Sequence, residues 1–246
     1  QTIAANLGSM LTPIGNPQNL YLYGKSGMSM AEFLLLMFPY TVVSLLLLVG
    51  WAVAVCRKQA SSCIGALPEQ PNTTETGIIL LDVVLFAVCL LAVVRVLPYG
   101  VAFSAVLVCT LCADRSTLRN VDYSLLLTFV AFFVFIGNLG RIPAFSGWLQ
   151  AILAGREVLV AVLASQVTSN VPAALLLSGF TDKTAALIIG TISALGTLIA
   201  SMASLISTAQ IARELPEEKG RYFKLFTLSN LIFLVILLAE WWIIGR

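Results

Sequence analysis

The sequence predicts an all-α integral membrane protein, and three observations lead to that prediction. Hydrophobic residues make up 59% of the 246 residues, charged residues make up only 11%, and the mean hydropathy is +0.96. A soluble domain carries about 25% charged residues, so most of the surface of this chain must face lipid. Long uncharged runs also recur along the chain, as membrane-spanning helices require.

The apolar runs define the elements in order. A spanning helix needs about 20 apolar residues. The runs long enough to be predicted as spans are 33–56, 77–94, 96–113, 123–140 and 225–245. The shorter run 142–155 fits a helix at the membrane interface. The run 184–212 is uncharged but rich in small and polar residues, which predicts an interrupted helix.

The distribution of Lys and Arg predicts the topology. These residues cluster in 57–76, 114–122 and 208–224, which favours a cytoplasmic position for the three segments. That assignment requires the run 158–181 to enter and leave the membrane on the same side. The run is therefore a candidate re-entrant hairpin with the tip VTSNVP (167–172), and the alternative is an ordinary helix kinked at Pro172.

Two stretches resemble each other, and this resemblance favours the re-entrant hairpin over the kinked helix. NLGSMLTPIGN (6–16) can be laid on TISALGTLIAS (191–201), an offset of 191 − 6 = 185, with Thr12 on Thr197 and Gly15 on Ala200. Proline and glycine in the first stretch predict a helix broken at membrane depth, and the second has the same small and polar pattern. Paired, interrupted apolar segments in two halves point to the binding site of a secondary transporter.

This repeat divides the single transmembrane domain predicted for 1–246. Residues 1–56 are expected to end a first repeat, 57–76 to form a cytoplasmic linker, and 77–246 to form a second repeat. A hairpin matching the one at 158–181 is then expected before Gln1, so the chain is expected to be a C-terminal fragment.

The same stretches carry a family resemblance. ANLGSMLTPIGNPQNLYL (5–22), SQVTSNVPAALLLSGF (165–180) and LGTLIASMASLIS (195–207) resemble the ion transporter superfamily. The most similar branch is that of citrate-transporter-like and arsenite-permease-like proteins, which is related to the divalent anion/sodium symporters. The resemblance implies an inverted-repeat transporter with a re-entrant hairpin and discontinuous helices, assembled as a homodimer.

The resemblance also implies site residues. A cation would lie between the hairpin tip and the neighbouring broken helix, which makes Ser165, Ser169, Asn170 and Ala200 the candidate Na⁺ ligands. Val171 stands where the symporters have a threonine, which weighs against a dicarboxylate. The candidate positions in the two broken stretches are Asn6, Thr12, Gly15, Asn16, Pro17, Thr197 and Ser201. No cofactor is expected apart from Na⁺ as a coupling ion.

The expected function is secondary active transport of a small anion, coupled to Na⁺ or H⁺, by a multi-pass protein of the cell membrane. The anion would be citrate, another carboxylate, arsenite or an inorganic oxyanion. The alternatives are a sodium/proton antiporter, which would need an acid at the site, and an anion channel. The chain has no histidine and no paired acids in one span, so an enzyme has little support. A net charge of +2 does not suggest nucleic acid.

Three charged residues fall inside or beside the predicted spans. They are Asp82, Arg95 and Glu240, and each lies within reach of a span end. We therefore expect them to be surface charges or side chains that extend to the membrane interface.

Overall fold

A computed structural model of the protein describes residues 2–56, 76–113, 115–193, 195–214 and 216–244. Over these residues the regular structure is entirely helical, which confirms the all-α prediction. The α-helices of this part are α1 (Thr2–Gly8), α2 (Pro17–Ser26), α3 (Met30–Cys56), α4 (Thr76–Val93), α5 (Tyr99–Ala113), α6 (Arg115–Arg119), α7 (Tyr123–Leu139), α8 (Pro143–Leu153), α9 (Glu157–Thr168), α10 (Asn170–Ser178), α11 (Thr184–Ser193), α12 (Met202–Glu214) and α13 (Lys219–Ile244). Short 3₁₀ turns occupy Pro13–Gly15, Leu198–Ala200 and Pro216–Glu218.

Two of the described helices, α3 and α13, are long and apolar enough to cross a membrane. α7 and α8 could supply a third span only as a pair, but a bend of 99° separates them. α4 and α5 are apolar, as predicted, but they are shorter than α3 and α13. Except for position 76, the predicted linker at 57–76 lies outside the described residues.

The chain divides into two compact units. One unit consists of Gln1–Ala52 with Thr128–Arg246, and the other consists of Val53–Leu127. In the second unit, α4 packs on α5 and α5 packs on α6. Every site residue predicted from the sequence belongs to the first unit. The domain boundaries predicted from the repeat stay a prediction.

The short helices form the centre of the first unit. α9 packs on α10 and α11, α2 packs on the same two helices, and α1 packs on α12. Glycine allows the closest of these approaches. A Cβ at Gly190 of α11 would lie 2.6 Å from the Cβ of Ala161 and 2.7 Å from the carbonyl oxygen of Val158. A larger side chain at this position would push α11 away from α9.

The two long helices frame this centre with buried stripes at helical spacing. On α3 the stripe is Phe33, Met37, Tyr40 and Ser44. On α13 it is Phe226, Asn230, Phe233, Leu237 and Glu240. Aromatic contacts fix the positions of the helices: the ring centroids of Tyr23 and Phe33 are 5.8 Å apart, and those of Trp51 and Phe233 are 6.4 Å apart.

The burial of Glu240 corrects one expectation from the sequence. Asp82 and Arg95 are exposed, as expected for surface charges, but only 7% of the Glu240 surface is exposed. Glu240 follows Leu237 and Phe233 at spacings of three and seven residues, so it continues the inward-facing stripe of α13. Its position near the end of the apolar run suggested that it lies at the membrane interface. Glu240 is buried because it lies on the face of α13 that packs inward.

Candidate functional site

The first helix break separates α1 from α2. Between them the chain passes through the Pro13–Gly15 turn and an extended residue, Asn16 (φ −138°, ψ 146°). Proline begins both the turn and α2, and proline supplies no backbone N–H to continue a preceding helix. Gly15 is required here, because a Cβ at this position would lie 1.8 Å from the carbonyl oxygen of Ser9. The sequence TPIGNP therefore ends one helix and allows the next to start.

The second break, between α11 and α12, repeats this backbone. The Leu198–Ala200 turn is followed by an extended Ser201 (φ −135°, ψ 138°), and α12 begins at Met202. The two turns begin at positions 13 and 198 and the helices after them at 17 and 202, so both differences equal 185. The offset read from the sequence thus also relates the backbone of the two breaks.

α9 and α10 form a helical hairpin. The two helices pack on each other and are separated only by Ser169. At the base, an oxygen of Glu157 at the start of α9 lies 3.2 Å from the ammonium nitrogen of Lys183, which follows α10. This ion pair brings the two ends of the hairpin together, so the arms run antiparallel and Ser169 forms the tip.

The tip is held in an unusual conformation. Ser169 has φ 76° and ψ 158°, a region that residues other than glycine rarely occupy and that costs about 1–3 kcal/mol. Its N–H donates to the carbonyl of Ser165 at 3.0 Å. Its hydroxyl donates to the carbonyl of Ala200 at 3.3 Å, which joins the hairpin tip to the second helix break.

α2 supports the other end of the hairpin. The hydroxyls of Tyr21 and Ser178 are hydrogen-bonded at 2.9 Å, and the ammonium group of Lys25 donates to the carbonyl of Ser178. Ser178 is the last residue of α10, so a cation there also stabilises the negative end of that helix. The hairpin is therefore bonded to α2 near its base and to the second break at its tip.

The two breaks are also bonded to each other. The hydroxyl of Ser201 donates to the side-chain oxygen of Asn6 at 2.6 Å, and the amide nitrogen of Asn6 donates to the hydroxyl of Ser204 at 3.3 Å. These bonds join α1 to the start of α12. Asn6, predicted as a site residue, is thereby fixed in orientation.

A cavity of about 70 Å³ lies where the breaks and the tip meet. Seven of the twelve predicted site residues line it: Asn6, Asn16, Pro17, Ser169, Asn170, Val171 and Ser201. The other lining residues are Gln18, Ile192 and Leu195. The structure therefore brings together residues that are up to 195 positions apart in the sequence, as between Asn6 and Ser201.

The remaining five predicted residues lie beside the cavity. Thr12 and Gly15 belong to the first break, where the Gly15 N–H donates to the Thr12 carbonyl at 3.2 Å. Thr197 and Ala200 belong to the second break and are bonded to the hairpin. Ser165 is completely buried in α9, one turn before the tip. Whether these residues bind an ion or a substrate stays a prediction.

The cavity is electrically unusual, because none of its lining residues carries a charge. Three helices begin at its wall: α2 at Pro17, α10 at Asn170 and α12 just after Ser201. The residues that precede α2 and α10 make no side-chain capping bond. The first N–H groups of a helix have no partner within it, so these helix ends offer donors and partial positive charge to the cavity.

Buried oxygen atoms without a partner adjoin the same place. The Oγ of Ser165 and the Oδ1 of Asn170 are buried and accept no hydrogen bond. The Oδ1 of Asn19 is buried in the same way, while its amide nitrogen donates to the carbonyls of Met10 and Thr12. Buried polar atoms are almost always satisfied, so such oxygens suggest a site for a cation or a donor. Neutral oxygens of this kind suit a hard cation such as Na⁺.

Gln166 is a residue of this site that the sequence prediction missed. Its side-chain nitrogen donates to the Leu195 carbonyl at 3.3 Å, and its side-chain oxygen accepts the Thr197 N–H at 2.9 Å. The Thr197 hydroxyl in turn donates to the carbonyl of Gln166 at 3.1 Å. Gly196, between the two bonded residues, has φ 138°. The only signal in the sequence was the place of this glutamine in the polar segment SQVTSN (165–170).

Comparison with known proteins gives a family match over most of the chain. The family model described as citrate transporter matches residues 1–209. The chain belongs to the citrate transporter family. Membership of this family, together with the apolar helices, supports a membrane protein and points to a transporter family rather than an enzyme family. It also confirms the resemblance found in the three motifs.

Two relatives extend the comparison. The chain is 32% identical over 214 residues to inner membrane protein YbiR of Escherichia coli (strain K12), covering 84% of this chain and 56% of the relative. It is 30% identical over 240 residues to uncharacterized transporter MJ0456 of Methanocaldococcus jannaschii, covering 96% of this chain and 64% of the relative. The chain thus spans less than two thirds of the length of either family member. No solved structure matches this chain.

Proposed function

We propose that the protein is a secondary active transporter that carries a small anion through the cavity between the helix breaks and the hairpin tip. The observation that carries the proposal is the convergence of three helix N-termini on an uncharged cavity. Each helix end is equivalent to roughly half a positive charge. An anion can therefore be bound by N–H groups and helix dipoles without a lysine or arginine.

The proposed substrates are citrate or another carboxylate, arsenite, or an inorganic oxyanion. All present oxygen atoms to the N–H donors at Gln18, Asn170 and Val171. The side chains of Asn6, Asn16 and Gln18 add amide groups to the same wall. Amides can both donate and accept, so they suit a solute that carries oxygen acceptors and hydroxyl groups.

The proposed coupling ion is Na⁺ or H⁺. The support for Na⁺ is the set of oxygens near the tip: the unpartnered atoms of Ser165 and Asn170, the Ser169 hydroxyl and the Ala200 carbonyl. A Na⁺ ion there would satisfy both buried oxygens. It would also add positive charge beside the anion, so that binding of one ion favours binding of the other.

The mechanism we propose is alternating access by an inverted-repeat transporter in the cell membrane. Under the offset of 185, α1 corresponds to α11 and α2 to α12, so the packing of α1 on α12 corresponds to that of α2 on α11. This exchange is what a two-fold relation between the repeats predicts. The α9–α10 hairpin would re-enter from one side of the bilayer, and the assembly would be a homodimer.

The proposal is tested by replacing Asn170 with alanine and measuring substrate uptake into lipid vesicles. Asn170→Ala removes a side chain that lines the cavity and holds a buried, unpartnered oxygen. Uptake is expected to fall at least about tenfold, since the loss of one charge-assisted contact costs about 1.5–3 kcal/mol. Folding should be retained, because the buried oxygen of this side chain has no hydrogen-bond partner among the described residues.

The matched control is Asn230→Ala. Asn230 is also buried, but its amide nitrogen donates to the Phe226 carbonyl of its own helix, and it does not line the cavity. This variant should keep its uptake. Wild-type uptake by Asn170→Ala, or equal loss in both variants, would contradict a substrate site at the hairpin tip.

A further inference from the structure

Glu240 is a buried acid that the proposed transport site does not use. It lies on the inward stripe of α13, and only 7% of its surface is exposed. Both carboxyl oxygens are buried and neither has a hydrogen-bond partner. A carboxylate in such a place would be an uncompensated charge, which proteins avoid by binding a proton instead.

No cationic partner of Glu240 is found among the residues that the structure describes. Tyr40, itself buried on α3, is the titratable side chain close enough to interact with its charge. α11 also packs on α13 and has no titratable residue. The charged residues of α12, Arg213 and Glu214, adjoin the opposite end of α13. Within the described part of the chain, nothing balances a negative charge on Glu240.

Glu240 also has a short path to water. It lies four residues before Ile244, the last residue of α13, which is about one helical turn. Trp241 and Trp242 follow it directly, and tryptophans mark the membrane–water boundary. A small rotation or opening of this end of α13 would expose the carboxyl group.

We propose that Glu240 is a proton-binding site, separate from the cavity, that holds a proton while buried against α3 and releases it when the end of α13 opens to water. The ligand is the proton, bound to one carboxyl oxygen. Tyr40 provides a neutral hydroxyl beside the acid. The proposal goes beyond the proposed function, because it concerns an acid that would titrate whether or not the cavity binds an anion.

Dicyclohexylcarbodiimide tests the protonation state directly. This apolar reagent reacts with carboxylic acids and not with carboxylates. The acid O–H adds across one C=N bond, the proton goes to nitrogen, and the acyl group then migrates to nitrogen, giving a stable N-acylurea with no atom lost. The wild-type protein in lipid vesicles would be treated at about pH 6 and about pH 9, on either side of neutrality, then digested and analysed by mass spectrometry.

We expect the adduct on Glu240 at the lower pH and less of it at the higher pH. The exposed residues Glu214 and Glu217 are the reference carboxyl groups and should stay unmodified at both pH values. If Glu240 is unmodified at the lower pH, the proposal is overturned. This readout does not involve transport, so it can fail while the anion site stands, and the reverse.

A second measurement uses Glu240→Gln, which mimics the protonated acid. A free glutamic acid ionises at about pH 4.3. If the folded protein keeps the proton above that pH, it binds more protons than the unfolded chain, so wild-type stability falls as pH rises. The melting temperature of the glutamine variant should therefore exceed that of wild type by an amount that increases as pH rises. Parallel melting curves for Glu240→Gln and wild type would also overturn the proposal.

Discussion

Ser169 holds a conformation that glycine adopts far more readily than serine. The hairpin nevertheless has a hydroxyl at this point, bonded to the carbonyl of Ala200. Because serine is unfavourable in this conformation, we infer that the Ser169 hydroxyl has a role at the tip. At the scale of the residue, strain and binding chemistry therefore coincide at the hairpin tip.

Two substitutions separate the strain from the hydroxyl. Ser169→Ala removes the hydroxyl and keeps the strained Cβ, whereas Ser169→Gly removes both. The glycine variant is expected to be more stable than the alanine variant by about 1–3 kcal/mol, less some gain in chain entropy on unfolding. Thermal melting of the purified proteins measures the difference.

Both variants should need more Na⁺ for uptake, because both lack the hydroxyl. Equal melting temperatures would show that Ser169 is not strained. Unchanged Na⁺ dependence in both variants would remove this hydroxyl from the cation site.

The sequence predicted which residues interrupt the helices, because proline and glycine have known effects on the backbone. Pro17 and Gly15 were found because proline and glycine interrupt helices. Gln18 and Gln166 were missed because each is one of several polar residues in its segment, and the sequence does not show which of these contact the site. The prediction that Glu240 is a surface charge was wrong, because the distance of a residue from the end of an apolar run does not show whether it lies on the buried face of the helix.

At the scale of the element, Gln166 fastens α9 to the second break. One side chain donates to Leu195 and accepts from Thr197, on either side of a glycine. A Cβ at Gly196 would lie 2.6 Å from the side-chain oxygen of Gln166. The absence of a side chain at Gly196 therefore leaves room for the side chain of Gln166. The hairpin and the broken helix should therefore move together.

Gln166→Leu tests this connection. Leucine fills a similar volume but leaves the Thr197 N–H and the Leu195 carbonyl without their partner, at a cost of about 1–3 kcal/mol for each group that stays buried. We expect a lower melting temperature and a lower maximal uptake rate. Gln210→Leu is the control, because Gln210 is exposed and its amide donates to Glu214 of its own helix. Similar melting temperatures for the two variants would mean that Gln166 does not hold the break.

The helix breaks themselves could be predicted from the sequence, because proline, glycine and the offset of 185 all mark them. The start of α5 could not, because α5 begins at Tyr99 and not at position 96. A run of apolar residues does not show where a turn such as that at 94–97 shortens a helix. The bonds that join α1 to α12 link Asn6 with Ser204, and no local pattern gives a contact across nearly 200 positions.

At the scale of the whole molecule, the hairpin decides the topology. The Glu157–Lys183 ion pair brings its two ends together, and the proposal that it re-enters the membrane requires both ends to face the same side. Residues 208–224 should then face the other side, because α11 and α12 lie between. The excess of Lys and Arg in that segment favours the cytoplasm.

Cysteine labelling checks this arrangement in a background without native cysteines. Arg156→Cys and Asp182→Cys, at the two ends of the hairpin, should react with an impermeant reagent from outside the cell. Glu217→Cys should react only after permeabilisation. All three positions are exposed, so failure to react reports sidedness rather than burial. Labelling of 156 and 182 from opposite sides would replace the re-entrant hairpin with a kinked span.

The neutral lining of the cavity has a consequence for how uptake should respond to acidity. Amides, hydroxyls and helix ends keep the same charge throughout the physiological pH range, so the described lining of the cavity contains no group that titrates there. If Na⁺ is the coupling ion, a curve of uptake against pH in protein carrying Glu240→Gln would then trace the ionisation of the cargo in solution. A solute of fixed charge would give a level curve, and one that gains or loses a proton would reproduce its own titration. Acidity thereby becomes a means of learning which ionic form of the cargo is carried.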